Sequence, residues 1–294
     1  MWIVKNRKWF YILSGTVVSL SLIFVAVFGL KPSIDFTGGL IIDVSCQDCT
    51  QIEQVVKNEL KEGFSLRNSE EGFILRTKNL EENEKENLLA LLENSGAQIS
   101  RFSEVGPTIG KELRRKAAVA IFLVVLSIIL FIAFVFRHVS KPVSSWKYGV
   151  IAIVALLHDI IIPVGVFAVL GKFFGAEVGV LFVMALLAIL GYSVNDTIVV
   201  FDRIRERLRE NKNNNISEPF EETVGEALNQ TIVRSINTSF TTLLVLLSLY
   251  FVGAESTKHF ALTLIAGVLA GTYSSIFLAS PLLVSWFNLQ KDKN

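Results

Sequence analysis

The chain has very little of what metal and redox centres are built from. Two cysteines and three histidines occur in 294 residues. None of His138, His158 and His259 falls between residues 33 and 110, the stretch that holds Cys46 and Cys49. No histidine is therefore at hand to complete a metal site there. "CQDC" keeps three readings: a local disulfide between Cys46 and Cys49, two free thiols, or a redox pair. A small-residue cleavage site after the first apolar run is also missing. Lys5, Arg7 and Lys8 precede that run as in a signal peptide, but its core is too long for one, and Lys31 and Pro32 follow it. It is expected to stay in the chain. No cofactor, no metal and no nucleic-acid partner are expected.

What is abundant is apolar sequence. Hydrophobic residues make up 51% of the chain and gather into blocks, the pattern of an integral membrane protein. A hydrocarbon core takes about 20 residues of helix, and six blocks approach or exceed that length: 9–30, 117–136, 147–170, 178–201, 235–252 and 260–287. The fold class expected is an α-helical integral membrane protein with six transmembrane helices. The short loops assign its orientation. Lys5, Arg7, Lys8, Arg137, Lys141, Lys147, Arg203, Arg205, Arg207, Arg209, Lys212, Arg234, Lys291 and Lys293 fall on one side, fourteen against only Lys172 and Lys258 on the other. The positive-inside rule then puts both termini in the cytoplasm, and the cytoplasmic (inner) membrane is the expected location. Lys111, Arg114, Arg115 and Lys116 dissent. They terminate a long translocated domain, where the rule weakens.

Three parts result: residues 1–32, a cytoplasmic tail and the first helix; residues 33–110, an extracytoplasmic domain; and residues 111–294, helices two to six with a cytoplasmic loop at 202–234. The domain alternates strands with amphipathic helices. "GLIIDVSC" reads as a strand, "TQIEQVVKNELKEG" as a helix capped by Thr50 and closed by Gly63, "FSLRN" and "GFILRT" as strands, "LEENEKENLLALLENSG" as a helix ending at Gly96, and "AQISRFSEV" as a strand. That order is the α+β, ferredoxin-like split unit. Its Glu- and Lys-rich helices read as solvated faces.

Polar residues in the apolar blocks are few. Helix three carries His158 and Asp159 with Pro163 four residues on, a proline that frees the carbonyl of residue 159 and kinks the helix. Helix four carries Tyr192, Ser193, Asn195, Asp196 and Thr197. Helix five opens with Arg234, then Asn237, Thr238, Thr241 and Thr242 on one face. A carboxylate near the centre of a membrane helix costs roughly 2.5 to 3.5 kcal/mol on insertion scales, so Asp196 is expected to face a partner or a water path. Asp196 lies 18 residues below Val178, and Arg234 lies 19 below Gly253. At about 1.5 Å per residue both sit roughly 27 to 28 Å from the outer surface. Two readings stay open: an Asp196–Arg234 pair that takes up and releases a proton, and a static pair or an Arg234 that snorkels to the headgroups.

Several stretches match a known pattern: "DFTGG" (35–39), "VGPTIGKEL" (105–113), the "HD" of helix three, "GYSVNDTIVVFDRIRE" (191–206) and "ALNQTIVRSINTSFTTLL" (227–244). They resemble the SecD/SecF family of protein-export membrane proteins, in the resistance-nodulation-division (RND) transporter superfamily, over nearly the whole chain. The resemblance implies an accessory subunit of the Sec protein translocase, not an enzyme, that with SecD uses the proton gradient (proton motive force) to promote late steps of export. It implies that Asp196 is the family's proton-pathway aspartate and Arg234 the arginine at the start of helix five. From the polar faces described above, and not from the resemblance, Asn195, Asn237, Thr238 and Thr241 join them as proton-pathway candidates, with Asp159 and His158 behind. Asp35, Phe36, Thr37, Gly38, Gly39, Gly106, Pro107, Gly110, Gly191, Asp202 and Arg203 carry the family motifs. The partners implied are SecD, the SecYEG translocon, YajC, YidC, exported polypeptide chains and membrane lipid. "CQDC" departs from the pattern and inherits no role.

Two other classes compete. A proton-driven small-molecule or lipid exporter of the same superfamily keeps the relay, but needs a larger outer domain with ligand pockets. An intramembrane aspartyl protease needs two carboxyls sharing a proton. Asp159 sits near the midplane, while Asp196 is expected about 10 Å nearer the cytoplasm by helix rise. "GYSVND" also stands where a G-x-G-D signature belongs.

Overall fold

The computed structural model describes residues 2–46, 49–60, 63–69, 72–135 and 143–291. Arg137, His138, Lys141 and Lys293, and Gln47 and Asp48 of the cysteine motif, lie outside the described residues. In chain order the elements are helices α1 (Trp2–Lys5), α2 (Arg7–Phe28) and α3 (Ile34–Thr37), strand β1 (Gly39–Ser45), helix α4 (Cys49–Glu59), strands β2 (Phe64–Ser69) and β3 (Gly72–Thr77), helix α5 (Glu82–Asn94) and strand β4 (Gln98–Val105). The long helices α6 (Pro107–Val135), α7 (Ser145–Phe173), α8 (Val180–Asn213), α9 (Phe220–Val252) and α10 (Glu255–Tyr273) follow, then a π-helical turn (Ser274–Ala279) and α11 (Ser280–Lys291). Among the described residues, six helical runs are long and apolar enough to cross a membrane: α2, α6, most of α7, α8, α9, and Thr257–Gln290. The chain divides into two compact units, Met1–Lys31 with Ala120–Ala176 and Leu181–Asn294, and Pro32–Val119 with Glu177–Val180.

The smaller unit is built on one antiparallel sheet of order β2-β3-β1-β4. Alternation along β1 sends Leu40, Ile42 and Val44 to the buried face, where they meet Phe73 and Leu75 of β3. Ile52 and Val56 of α4 and Leu88 and Leu92 of α5 cover that face at four-residue spacing. Glu81 and Glu84 form a capping box that starts α5. Cys49 opens α4, so Thr50 stands inside the helix instead of capping it. Cys46 and Cys49 are joined in a disulfide, their α-carbons 5.4 Å apart.

In the larger unit the helices outrun the apolar blocks. α8 continues to Asn213, past the expected end at 201, and α9 starts at Phe220, fourteen residues before Arg234. The expected loop 202–234 is therefore mostly helix, and 214–219 are its only non-helical residues. Hydropathy marks where a membrane ends, whereas a helix ends where the backbone is interrupted. No glycine or proline occurs from Tyr192 to Glu218, so α8 runs on as a charged amphipathic helix until Asn215 takes a left-handed φ of 53°. Pro219 precedes α9, with Glu221 and Glu222 in its first turn, where the helix dipole favours acids. Ile204, Phe220, Val224 and Leu228 return the extension to the hydrophobic core shared with Leu283 and Val284. α6 likewise begins at Pro107, ten residues before its apolar block.

Candidate functional site

The polar residues inside the bundle converge on two carboxylates. Asp159 of α7 has no exposure and Asp196 of α8 is 8% exposed. One Asp159 oxygen lies 2.8 Å from His158 Nδ1. The other accepts from the Ser193 hydroxyl of α8 and, at 2.6 Å, from the Ser274 hydroxyl of the π-turn. Asp196 accepts from Ser235 of α9 at 2.7 Å and from Ser275 of the π-turn at 2.5 Å. A second hydroxyl layer flanks it: Tyr192 donates to Ser239 at 2.9 Å, and Ser239 and Thr272 lie 2.5 Å apart. No Lys or Arg forms an ion pair with either carboxylate among the described residues. Hydroxyl donors and one imidazole satisfy these acids, an arrangement that tolerates both ionised and protonated forms because a hydroxyl can donate or accept.

Helical phase explains the set. Thr231, Ser235 and Ser239 repeat every four residues and share one buried face of α9. Consecutive residues of a helix point about 100° apart, so Ser274 and Ser275 aim at different neighbours. The π-turn holds both at the junction of the aspartates, as such turns often do at functional sites. Gly271, one turn earlier, lets the helices close: a Cβ there would stand 3.2 Å from Ser193 Cβ and 3.6 Å from Asp159 Oδ2.

The Asp196–Arg234 pair is not made in this chain. Arg234 is exposed, and Ser235 holds the place beside Asp196. Equal depth fixes height along an axis but not the angle around it, and one residue changes that angle by about 100°. Asn195, Asn237, Thr238 and Thr241 are exposed too, with Thr242 half-buried. Thr241 and Thr242 each donate to the Thr238 carbonyl at 2.9 Å, within their own helix. The expected polar stripe of α9 is thus its outer face, and the residues that touch Asp196 lie on the inner one. Adjacent serines of the π-turn nevertheless reach both aspartates. Each carboxylate keeps its own donors, and no hydrogen bond joins the two, so an aspartyl dyad is not formed. Ser193 and Tyr192 are among the polar residues that the sequence marks on helix four. Ser235, Ser239, Ser274 and Thr272 are not among the expected site residues, although the four-residue hydroxyl repeat of α9 and the SS pair signal them.

The motif residues outside the bundle core lie at turns, helix ends and helix surfaces. Gly38 and Gly39 have φ of +75° and +136°, and a Cβ on Gly110 would lie 2.9 Å from the Gly38 amide nitrogen, so only glycine permits this crossing of α6 over the turn. Pro107 opens α6 directly after Gly106, and Thr37 donates to the Ser33 carbonyl at 3.1 Å. Phe36 is half-buried. Asp35 accepts the amide of Val180, the first residue of α8, at 2.9 Å, placing an acid at a helix N-terminus. Gly191 is exposed on α8, and Asp202 lies 3.9 Å from Arg205. Arg203 donates to Gln230 of α9 at 2.6 Å.

Residues 85–289 match the family model described as protein export membrane protein SecD/SecF, C-terminal, and residues 23–48 match the SecD/SecF GG motif. The chain belongs to the SecD/SecF family. It is 43% identical to the protein translocase subunit SecF of Thermobaculum terrenum over 97% of this chain and 94% of that one. Against the Synechocystis protein of the same name it is 35% identical, over 95% and 93%. The crystal structure of SecDF, a translocon-associated membrane protein from Thermus thermophilus, superposes with a TM-score of 0.83 at 31% identity. That match covers 97% of this chain and 38% of the SecDF chain, so this chain spans well under half of it. In SecD/SecF terms, "DFTGG" is the GG motif, and its glycines serve the backbone crossing described above.

Proposed function

We propose that the chain is the SecF-type subunit of a Sec protein translocase in the cytoplasmic membrane, that it pairs with a SecD chain, and that Asp196 is the site where a proton is bound and released. The similarity to translocase subunits and to SecDF supports the first two statements. The observation that carries the third is the burial of Asp196 in a membrane-grade helix with, among the described residues, only hydroxyl donors around it. A structural carboxylate in such a place is usually paired with a cation, and an unpaired one is a functional group by default.

The chemistry needs little from the protein beyond two alternative states. Ionised Asp196 holds Ser235 and Ser275 as donors and so ties α8 to α9 and to the π-turn. A protonated Asp196 can donate one hydrogen and holds those helices less firmly. Moving one charge through the membrane potential is worth about 2.3 kcal/mol per 100 mV, the size of a few-kcal/mol conformational bias. One proton per swing can therefore tip a two-state bundle. The exposed face with Arg234, Asn237, Thr238 and Thr241 cannot be left to lipid, and the SecD chain is the partner we assign to it. In that assembly Arg234 would stand beside the partner and modulate Asp196 across the interface. SecYEG, exported polypeptides, YajC, YidC and lipid remain partners by the same reading, and both termini are cytoplasmic.

Asp196→Asn tests the proton site. It preserves shape and hydrogen bonding but cannot titrate, and is expected to leave a membrane-inserted protein at normal level that no longer supports proton-driven export. Level and export are measured in the same cells. Full export would refute the relay, and disappearance of the protein would favour a structural role. For topology, an impermeant thiol reagent applied to intact cells should label Asn83→Cys and not Asn214→Cys. The reverse pattern would overturn the orientation.

A further inference from the structure

His158 and Asp159 stand behind Asp196 in the expected pathway, and the proton site proposed at Asp196 does not by itself use them. His158 is 5% exposed, and its Nε2 is buried with no hydrogen-bond partner among the described residues. A neutral imidazole donating Nδ1–H to Asp159 leaves the Nε2 lone pair unmatched, and an imidazolium leaves an Nε2–H unmatched. A static polar knot is normally satisfied throughout. A group that changes protonation cannot be matched in both states, and a leftover nitrogen fits such a group.

The π-turn supplies the second observation. Ser274 donates to Asp159 and Ser275 to Asp196, and adjacent α-carbons are about 3.8 Å apart. Ser193 and Asp196, three residues apart on α8, repeat the link, because Ser193 donates to Asp159. Two carboxyls this closely connected in a water-poor bundle disfavour simultaneous ionisation.

We propose that His158 and Asp159 form a second proton-binding pair, coupled to Asp196 across the Ser274–Ser275 step. The proposal rests on Asp196 being a proton site. The groups that face the pair are few among the described residues. α10 presents the Tyr273 ring, stacked on His158 with centroids 6.0 Å apart. Tyr273 donates to the Phe10 carbonyl of α2 at 3.0 Å and accepts from Ser14 at 3.3 Å. α8 presents Ser193 and the π-turn Ser274. Asp196 and Tyr273 are the other ionisable groups these contacts reach.

The coupling has a sign. An ionised Asp159 and a protonated His158 act on Asp196 with opposite electrostatic sign. Asp159→Asn removes the first charge, so the midpoint of the pH profile of proton-driven export moves to lower pH, by on the order of one unit. His158→Gln removes the second charge, keeps a donor toward Asp159, and moves the midpoint to higher pH. Ser274→Ala weakens the ionised form of Asp159 and gives a smaller shift to lower pH.

The experiment measures protein level and the pH profile of proton-driven export for the full chain with its SecD partner in the same membranes. Opposed shifts in Asp159→Asn and His158→Gln at normal level support the proposal. Unshifted midpoints, or shifts of one sign in both, overturn it while leaving Asp196 in place. Should Asp159→Asn be degraded, opposed shifts in Ser274→Ala and His158→Gln support the pair and an absence of shift in both overturns it. Full proton-driven export after Asp196→Asn overturns this proposal together with the one beneath it.

Discussion

α9 carries two polar faces with opposite fates. On the inner face Ser235 and Ser239 are buried, and every hydroxyl has a partner in α8, the π-turn region or its own helix. On the outer face, one residue away at each step, Arg234, Asn237, Thr238 and Thr241 are exposed. Small hydroxyls cost little to bury because they can bond within the helix or across it, so the chain completes that face by itself. A guanidinium and a carboxamide cannot be completed that way at membrane depth and call for another chain. Within a single helix, then, what is finished internally is separable from what awaits assembly.

The largest expected effect is on the outer face. Arg234→Met should abolish proton-driven export without lowering the protein level, whereas Arg234→Lys, which keeps the charge but loses the planar fork, should retain part of it. Normal export in Arg234→Met would erase the distinction between the faces, since the exposed arginine would then have no task. Protein level and export, measured together, decide.

A smaller effect belongs to the inner side. Gly271→Leu drives a branched side chain toward Ser193 and Asp159 and should destabilise the bundle by about 1 to 3 kcal/mol or more, as overpacking does. Leu269→Ala, at a position 53% exposed, should be nearly silent. Thermal unfolding of the purified protein in mild detergent, with recovery of the SecD partner, compares the two. Equal midpoints would mean that Gly271 is an ordinary small residue.

The smallest effect is at the end of the α8 extension, outside the spans. Burial pushes the Glu218 carboxyl up, but hydrogen bonds from Asn211, Thr223 and Arg207 outweigh it and hold the group below its ordinary value of 4.5. A carboxylate depressed on folding contributes stability above its unfolded value and loses it as pH falls through the folded one. The clasp of Glu218 on Arg207, Asn211 and Thr223 should therefore weaken only below about pH 4.5, the ordinary value. Glu218→Gln should cost about 1 kcal/mol at neutral pH, the worth of a hydrogen bond to a charged group diminished. Protease cleavage at residues 214–219 reads this: the variant should be cut a few-fold faster at pH 7, and the two should converge in acid. A difference that persists in acid would mean that the clasp does not depend on the ionised carboxyl.

Six apolar blocks, the strand and helix pattern between residues 33 and 110 and the rarity of Asp159 and Asp196 inside the blocks were all legible along the chain, because hydropathy and period are local properties. The ends of α8 and α9 were not, since charged residues leave a membrane without ending a helix. The resemblance to the SecD/SecF family was also carried by the sequence alone, through the stretches around Gly38, Asp196 and Arg234. Tertiary structure decided the rest. Which residue faces Asp196 depends on the angle of α9 about its axis, set by how its whole inner face fits α8 and α10. That fit chose Ser235 over Arg234. The meeting of Ser274 with Asp159 and of Ser275 with Asp196 depends on a π-turn that no local propensity announces and on contacts 115 and 79 residues apart in sequence. Only packing brings such groups to one place.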